Sequence, residues 1–152
     1  MSKPLLSVAI QDYLKGIYKL QSGESRLTIS ALARNQGVSA ASASAMVKKL
    51  AALELLEHEP YRGFRLTAAG EQVAVEVIRH HRLLETYLSQ ALGMPEDRVH
   101  EEAEVLEHYI SEELELLIAA KLGEPSHDPH GTPIPGPDLE PPAEGVEGEG
   151  SR

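Results

Sequence analysis

The chain has 152 residues, with 14 Lys and Arg, 24 Asp and Glu, and a formal net charge of −10. It has no cysteine, which excludes disulfides and thiolate metal sites and suits a reducing compartment. No apolar run approaches the roughly 20 residues of a membrane span, and the apolar part of the first ten residues is too short for a signal peptide. We therefore expect a cytoplasmic protein without membrane segments.

Charge is distributed unevenly along the chain. Residues 1–70 carry nine Lys and Arg against five Asp and Glu, giving +4, whereas residues 71–152 carry five against nineteen, giving −14. A net negative charge by itself argues against nucleic-acid binding. Because the first half is basic, the distribution instead indicates two functions in one chain.

The first half of the sequence predicts three helices and a hairpin. Apolar residues recur at helical spacing over residues 5–21, and Thr28 is a plausible N-cap for a short second helix. GVS at residues 37–39 indicates a tight turn before a third helix. Pro60 and Gly63 punctuate two short extended pieces, which predicts the hairpin. The third helix is expected to bury Met46, Val47, Leu50 and Leu53.

This order of elements is typical of a winged helix-turn-helix, whose helix after the turn enters the major groove. The first turns of that helix read SAASASA, and such small side chains let the backbone approach base edges. Basic residues further along the helix and in the hairpin would contact phosphates. The candidate DNA-binding residues are Ser39, Ser42, Ser44, Lys48, Lys49 and Arg62. A helical domain with merely polar surface residues explains the hairpin and the local positive charge less well.

The second half predicts a long helix from Thr67 to about Leu92, then helices at residues 96–109 and about 111–122. Residues 123–152 hold seven prolines and six glycines in thirty positions, which predicts a linker or disordered tail. The expected fold class is mainly α. The predicted domains are a winged helix-turn-helix at residues 1–70, a helical domain at residues 71–122 and the tail at residues 123–152.

One stretch of the second half, VHEEAEVLEHYIS at residues 99–111, concentrates imidazoles and carboxylates. On a helix at 100° per residue, four of its side chains fall within about 100° of arc: His100, Glu104, Glu107 and His108. On the preceding helix, His81 and Glu85 are four residues apart and share a face. Acidic helix faces are usually only solvated, but six such side chains in two helical registers favour a metal site. Without thiolates, they favour Mn²⁺ or Fe²⁺ over structural zinc.

The chain resembles the family of metal-dependent transcriptional repressors that includes the diphtheria toxin repressor and the manganese transport regulators. The resemblance covers residues 8–122 and rests on several segments in order: QDYLKGIYKL, YRGFRLTAAG, RHHRLLETYL, VHEEAEVLEHYIS and HDPHGTPIPGP. It implies a helical metal-binding and dimerisation domain behind the winged helix-turn-helix. It also implies a homodimer that binds a double-stranded DNA operator and represses metal-ion homeostasis genes.

The resemblance also implies which residues bind the metal. A primary, activating site would consist of Asp12, Glu104, Glu107 and His108, and an ancillary site of His81, Glu85 and His100. Oxygen ligands at Asp12 and Glu104 are typical of manganese-responsive members. Lys15 stands where those members have a second acidic ligand, and His100 belongs to the iron-type arrangement, so Mn²⁺ and Fe²⁺ both stay open. His127 and His130 are interpreted as linker residues.

Two consequences follow from the resemblance. Because Asp12 lies in the DNA-binding half, a metal bound by both halves would connect the two domains and position the first helix. Dimerisation through the acidic half would place two recognition helices about 34 Å apart to read a palindrome. The apolar residues available for the core, the dimer interface or both are Val105, Leu106, Ile110, Leu114, Leu117 and Ile118.

Two other functions are weighed against the repressor. One is a winged-helix regulator whose effector is not a metal. The other is a carboxylate metalloenzyme, which is disfavoured because the chain lacks an EXXH pair on two helices and any recognisable substrate motif. No catalytic residue is assigned.

Overall fold

The computed structural model describes residues 6–23, 26–61 and 63–138. These residues form six helices and one two-stranded antiparallel sheet, which confirms the predicted mainly helical fold. The chain divides into two compact units, Met1–Ala74 and Val75–Arg152. None of the described helices has both the length and the apolar character needed to cross a membrane.

Unit 1 has the element order predicted for a winged helix-turn-helix. Helix α1 packs against α2 and the second strand, and α2 packs against α3. The core is formed by apolar side chains from every element, with Leu14, Ile17, Leu32, Ala43 and Leu50 fully buried. The bounds are α1 (Val8–Gly23), α2 (Ile29–Gln36), α3 (Ala40–Ala52), β1 (Leu56–Glu59), β2 (Gly63–Leu66) and the start of α4 (Ala68–Gln90).

Local capping sets the helix-turn-helix. The Thr28 hydroxyl accepts a hydrogen bond from the Ala31 backbone N–H at 3.1 Å, as the N-cap prediction requires. Gly37 adopts a left-handed φ of 68° and ends α2. The Ser39 hydroxyl then caps α3 by accepting from the Ser42 backbone N–H at 3.1 Å. The predicted turn at residues 37–39 is therefore confirmed.

Helix α3 ends at Ala52, before the last of the four apolar residues that it was predicted to bury. Val47 and Leu50 are buried and Met46 is half-buried, but Leu53 lies past the helix end and is exposed, so its predicted burial is wrong. Glu54 has a positive φ of 63°, which turns the chain out of the helix toward β1.

The hairpin is the predicted wing, and it packs closely on the rest of unit 1. Its register pairs Leu56 with Leu66 and His58 with Phe64, and the three apolar side chains of these pairs are buried. Gly63 has a φ of 86°, and a Cβ built there would overlap the backbone carbonyl of Leu27. Glycine is required at this position both for the backbone conformation and for the close approach.

We predict that Gly63→Ala lowers the free energy of unfolding by about 2 kcal/mol or more, because it adds a steric overlap to a left-handed strain. Gly37→Ala is the matched control, since Gly37 has a similar φ of 68° but no atom within 4 Å of a built Cβ. It should cost only the strain of about 1–2 kcal/mol. Urea unfolding measures both variants, and equal costs would contradict the close approach.

Unit 2 consists of the rest of α4, α5 (Glu96–Leu106), α6 (Glu112–Lys121) and the segment after α6. Its apolar core combines side chains from α4, α5, α6 and that segment. Half-buried side chains, among them Leu106 and Ile110, pack around this core. The buried members are Leu83, Leu84, Ala103, Ile118, Ala119 and Ile134.

The segment after α6 is packed, so the predicted linker or disordered tail is wrong for the described part of residues 123–152. Ile134 belongs to the core, and its N–H donates to the Ser126 carbonyl at 2.8 Å. The Asp128 carboxylate accepts from the backbone N–H groups of His130 and Thr132, at 2.9 Å each. We call residues 126–135 the 126–135 loop. Residues 139–152 lie outside the described residues.

A buried ion pair connects three parts of unit 2. The Arg79 guanidinium of α4 contacts the Glu115 carboxylate of α6 and donates to the Pro135 carbonyl of the 126–135 loop at 2.8 Å. His80 Nε2 lies 2.8 Å from the other oxygen of Glu115. Burial alone would raise the pKa of Glu115, but hydrogen bonds from His80 and Arg79 outweigh burial and lower it below 4.5.

We predict that Glu115→Gln lowers the free energy of unfolding at pH 7 by about 3–5 kcal/mol, because it leaves Arg79 buried without its counter-charge. Glu113→Gln, an exposed neighbour on α6, should cost under about 0.5 kcal/mol. A lowered pKa contributes stability above its unfolded value and loses it at lower pH, so the two proteins should converge as pH falls below 4.5. A constant difference down to pH 3 would contradict this role.

Candidate metal centre and nucleic-acid interface

Unit 2 joins the carboxylates and imidazoles predicted as ligands into one continuous network. His100 lies between Glu104 and Glu85, with its Nε2 3.5 Å from Glu104 and its Nδ1 2.9 Å from Glu85. His81 lies between the two buried carboxylates, with its Nε2 3.1 Å from Glu85 and its Nδ1 2.5 Å from Glu107. The network therefore runs from α5 across α4 to the end of α5.

Glu107 does not occupy the helical position that the sequence predicted for it. Helix α5 ends at Leu106, Glu107 is its C-cap, and His108 lies in the following turn, so the prediction of a helix through residue 109 is wrong. One oxygen of Glu107 contacts His81, and the other lies 3.4 Å from His108 Nε2. Glu107 is thus shared between the residues predicted for the primary site and those predicted for the ancillary site.

Glu85 and Glu107 are both buried, so the protonation state of His81 decides whether their negative charge is balanced. Burial alone would lower the pKa of His81, but hydrogen bonds with Glu107 and Glu85 outweigh it and raise the pKa. Burial would raise the pKa of Glu85, yet hydrogen bonds from His81 and His100 hold it at about 2. A protonated His81 can therefore donate to both carboxylates and balance their charge.

Several donor sets in unit 2 fit a divalent cation. The ligand atoms of His81, His100 and Glu104 all lie within 4.8 Å of one another, and those of Glu85, Asp128 and His130 do the same. Imidazole and carboxylate donors match the preferences of Mn²⁺ and Fe²⁺. Glu85 is buried away from water, and its partners are imidazoles that can lose a proton. A cation can therefore replace the proton of the imidazolium as the positive partner of Glu85.

His130 and Asp128 are candidate ligands that the sequence interpretation missed. His130 Nδ1 lies 3.7 Å from Glu85, and its Nε2 lies 3.5 Å from Glu96, so its interpretation as a linker residue is wrong. The sequence did contain a signal for them. HDPH at residues 127–130 places two histidines and an aspartate, all common metal ligands, within four positions. His127 instead contacts the Ser126 hydroxyl at 2.9 Å and belongs to neither donor set.

A third cluster, formed by Glu76, His80 and Glu115, also brings ligand atoms within 4.8 Å. Its chemistry differs because the Arg79 guanidinium already contacts Glu115. Arginine stays protonated, so a cation would have to compete with a permanent positive charge. His80 also lies 3.2 Å from the Glu107 backbone carbonyl, which indicates a structural role for this cluster.

Unit 1 presents the candidate DNA-binding residues on α3. Ser39, Ser42, Lys48 and Lys49 are exposed, and Ser44 is half-buried. The Ser39 hydroxyl, which caps α3, also donates to the Ser42 hydroxyl at 3.1 Å, and both serines are exposed. Arg62, predicted for the wing, lies outside the described residues. Asp12, on α1, is half-buried, and its backbone carbonyl accepts a hydrogen bond from Gln36.

Comparison with known proteins assigns a family to each half of the chain. Residues 5–64 match the family described as iron dependent repressor, N-terminal DNA binding domain. Residues 67–136 match iron dependent repressor, metal binding and dimerisation domain. The chain belongs to the iron-dependent repressor family. The family unites metal-dependent transcriptional repressors, which confirms the resemblance found in the sequence.

Individual members of the iron-dependent repressor family show how far the similarity extends. The diphtheria toxin repressor of Corynebacterium jeikeium is 35% identical over 126 residues, which cover 83% of this chain and 52% of that protein. The regulator MntR of Oceanobacillus iheyensis is 32% identical over 103 residues, covering 68% and 69%. The chain thus spans about half the length of the first relative and about two thirds of the second.

Solved structures of the iron-dependent repressor family match the same region. A structure described as a manganese-dependent transcriptional repressor in complex with manganese has a TM-score of 0.80 and 46% identity, over 88% of this chain and 62% of that chain. An apo form of the manganese-activated repressor ScaR has a TM-score of 0.75 and 38% identity, over 82% and 60%.

We predict that Mn²⁺ binding to this protein releases protons near neutral pH, because the pKa of His81 is raised above its usual value and His81 must lose its proton to act as a ligand. The affinity should therefore rise with pH. Calorimetric titration in two buffers of different ionisation enthalpy measures the release. His81→Gln should reduce it, whereas His127→Ala is a control that should preserve it. Equal proton release from the parent and His81→Gln would contradict the assignment.

Proposed function

We propose that this protein is a repressor of metal-ion homeostasis genes whose DNA binding is activated by Mn²⁺ or Fe²⁺. The observation that carries the proposal is the linked network of Glu104, His100, Glu85, His81 and Glu107 in unit 2. These residues belong to a chain whose first half matches a DNA-binding domain family. Relatives that are named for iron or for manganese regulation support either metal.

Two metal sites are proposed, a primary site and an ancillary site, and they are formed by different residues. The primary site takes Glu104, Glu107 and His108 from unit 2 together with Asp12 from α1. This assignment rests on the family resemblance, and the Glu107–His108 contact of 3.4 Å supports it for those two residues. When bound, the cation supplies a positive charge that the carboxylates share. Asp12 would then connect the DNA-binding residues to the acidic unit.

The ancillary site extends beyond its predicted members. His81, Glu85 and His100 are joined by His130 and Asp128 from the 126–135 loop, since the other four residues contact or flank the Glu85 carboxylate. Arg79 and Arg82 hold this loop by donating to the Pro135 and Pro133 carbonyls. The loop therefore places Asp128 and His130 beside Glu85, and its hydrogen bonds to α4 fix their position.

DNA binding is proposed for the exposed face of α3. Ser39 and Ser42 sit in its first turn, where small neighbours leave the backbone accessible. Their hydroxyls can bind base edges or phosphates, and Lys48 and Lys49 can contact phosphates further along. No Arg, Asn or Gln lies in that turn for bidentate base contacts, so shape and apolar contacts would contribute to specificity.

A homodimer is proposed through the exposed apolar residues of α5, α6 and the turn between them. The structure separates these from the core, because Ile118 is buried whereas Val105 and Leu117 are about three-fifths exposed. Exposed apolar residues of this size in one region are typical of protein–protein contacts. The residues are Val105, Tyr109, Leu114, Leu116 and Leu117.

We predict that the full-length protein binds a DNA duplex selected in the presence of MnCl₂, and that EDTA weakens this binding by about 5–150-fold. Fluorescence anisotropy measures the affinity, with anaerobic Fe²⁺, Co²⁺ and Zn²⁺ compared in parallel. Asp12→Ala and His108→Ala should remove most of the stimulation by metal. Glu101→Ala is the control, because Glu101 is exposed and outside every donor set.

Three results would overturn parts of this proposal. If metal and EDTA give the same affinity for the selected duplex, the effector is not a divalent metal. If His108→Ala keeps full stimulation, the primary site is assigned wrongly. If metal-loaded protein turns over peroxide or oxygen without binding DNA, the protein is a carboxylate metalloenzyme.

A further inference from the structure

Gln36 contacts the residue that the proposed function assigns to the metal. It is the last residue of α2, and its side-chain amide donates to the backbone carbonyl of Asp12 at 3.3 Å. The same amide nitrogen also donates to the exposed side-chain oxygen of Asn35 at 2.7 Å. The bond engages the carbonyl of Asp12 and not the carboxylate that is proposed as a ligand.

Gly16, one turn after Asp12, also lies beside the end of α2. A Cβ built on Gly16 would meet the side-chain amides of both Asn35 and Gln36, which are the ends of flexible side chains. The contact between α1 and the end of α2 is therefore formed by residues on both helices.

The position of Gln36 also connects it to the recognition helix. Gly37 follows it in the left-handed conformation, and the Val38 N–H donates to the Ala33 carbonyl at 3.0 Å, which makes the turn short and fixed. Ser39, three residues after Gln36, is the N-cap of α3. A displacement of α1 at Asp12 would therefore reach the first turn of α3 through few freely rotating bonds.

We propose that Gln36 is a positioning residue that couples the state of Asp12 to the placement of the first turn of α3. The inference rests on the proposed function, in which Asp12 is a metal ligand. A cation bound to the Asp12 carboxylate would also restrict the position of the Asp12 backbone carbonyl. The hydrogen bond from Gln36 to that carbonyl would then restrict the turn before Ser39. The coupling acts within unit 1 and needs no contact between Gln36 and DNA.

The test compares Gln36→Met with Asn35→Ala in the full-length protein. Methionine keeps the length of the side chain and removes both donors, whereas Asn35→Ala removes the neighbouring amide and leaves the bond to Asp12. The readout is the ratio of DNA affinity in MnCl₂ to that in EDTA. We expect Gln36→Met to reduce this ratio about two- to tenfold, as loss of one neutral hydrogen bond implies, with affinity in EDTA unchanged. Asn35→Ala should keep the parent ratio.

A second measurement distinguishes coupling from a structural role. By linkage, the amount by which DNA raises Mn²⁺ affinity must fall by the same factor in Gln36→Met. A variant that loses DNA affinity equally in MnCl₂ and EDTA, or that keeps the parent ratio, overturns this inference alone. A parent protein with no stimulation by Mn²⁺ or Fe²⁺ overturns the proposed function, and this inference with it.

Discussion

The structure of unit 2 depends on how two buried carboxylates are neutralised. Glu85 and Glu107 are both almost fully inaccessible to solvent, and a buried carboxylate without a positive partner is strongly destabilising. His81 contacts both of them and so connects α4 to the end of α5. An imidazolium gives up its proton near neutral pH, whereas a guanidinium does not. The same site can therefore hold a proton or a metal ion.

In the neighbouring Arg79–Glu115 pair, a buried carboxylate is neutralised by a guanidinium instead of an imidazole. There the positive charge is permanent, and the pair joins α4, α6 and the 126–135 loop into a fixed arrangement. Two clusters of acidic and basic groups therefore lie on one helix with different chemistry. One stabilises the fold, and the other is the proposed metal site. His80 connects them, because it contacts Glu115 and the backbone carbonyl of Glu107.

In unit 1 the corresponding constraint is the fixed turn between α2 and α3. Gly37 ends one helix and Ser39 begins the next, so the recognition helix starts at a defined residue. Ser39, one of the serines that are proposed to contact DNA, is also the residue that caps the helix. Its hydroxyl thus serves local structure and remains exposed. The last residue of α2, Gln36, contacts α1 at the backbone carbonyl of Asp12.

The sequence by itself determined the helices, the wing, the Thr28 cap and the pairing of His81 with Glu85, because helical periodicity and capping act over a few residues. It predicted neither that α5 ends at Leu106 nor that Glu107 turns toward His81, since a contact between residues 26 apart depends on packing. Its proline and glycine content suggested a disordered tail, but composition does not report long-range contacts. Only tertiary structure placed Ile134 in the core and His130 beside Glu85, because carbonyls of the loop accept hydrogen bonds from Arg79 and Arg82 on α4.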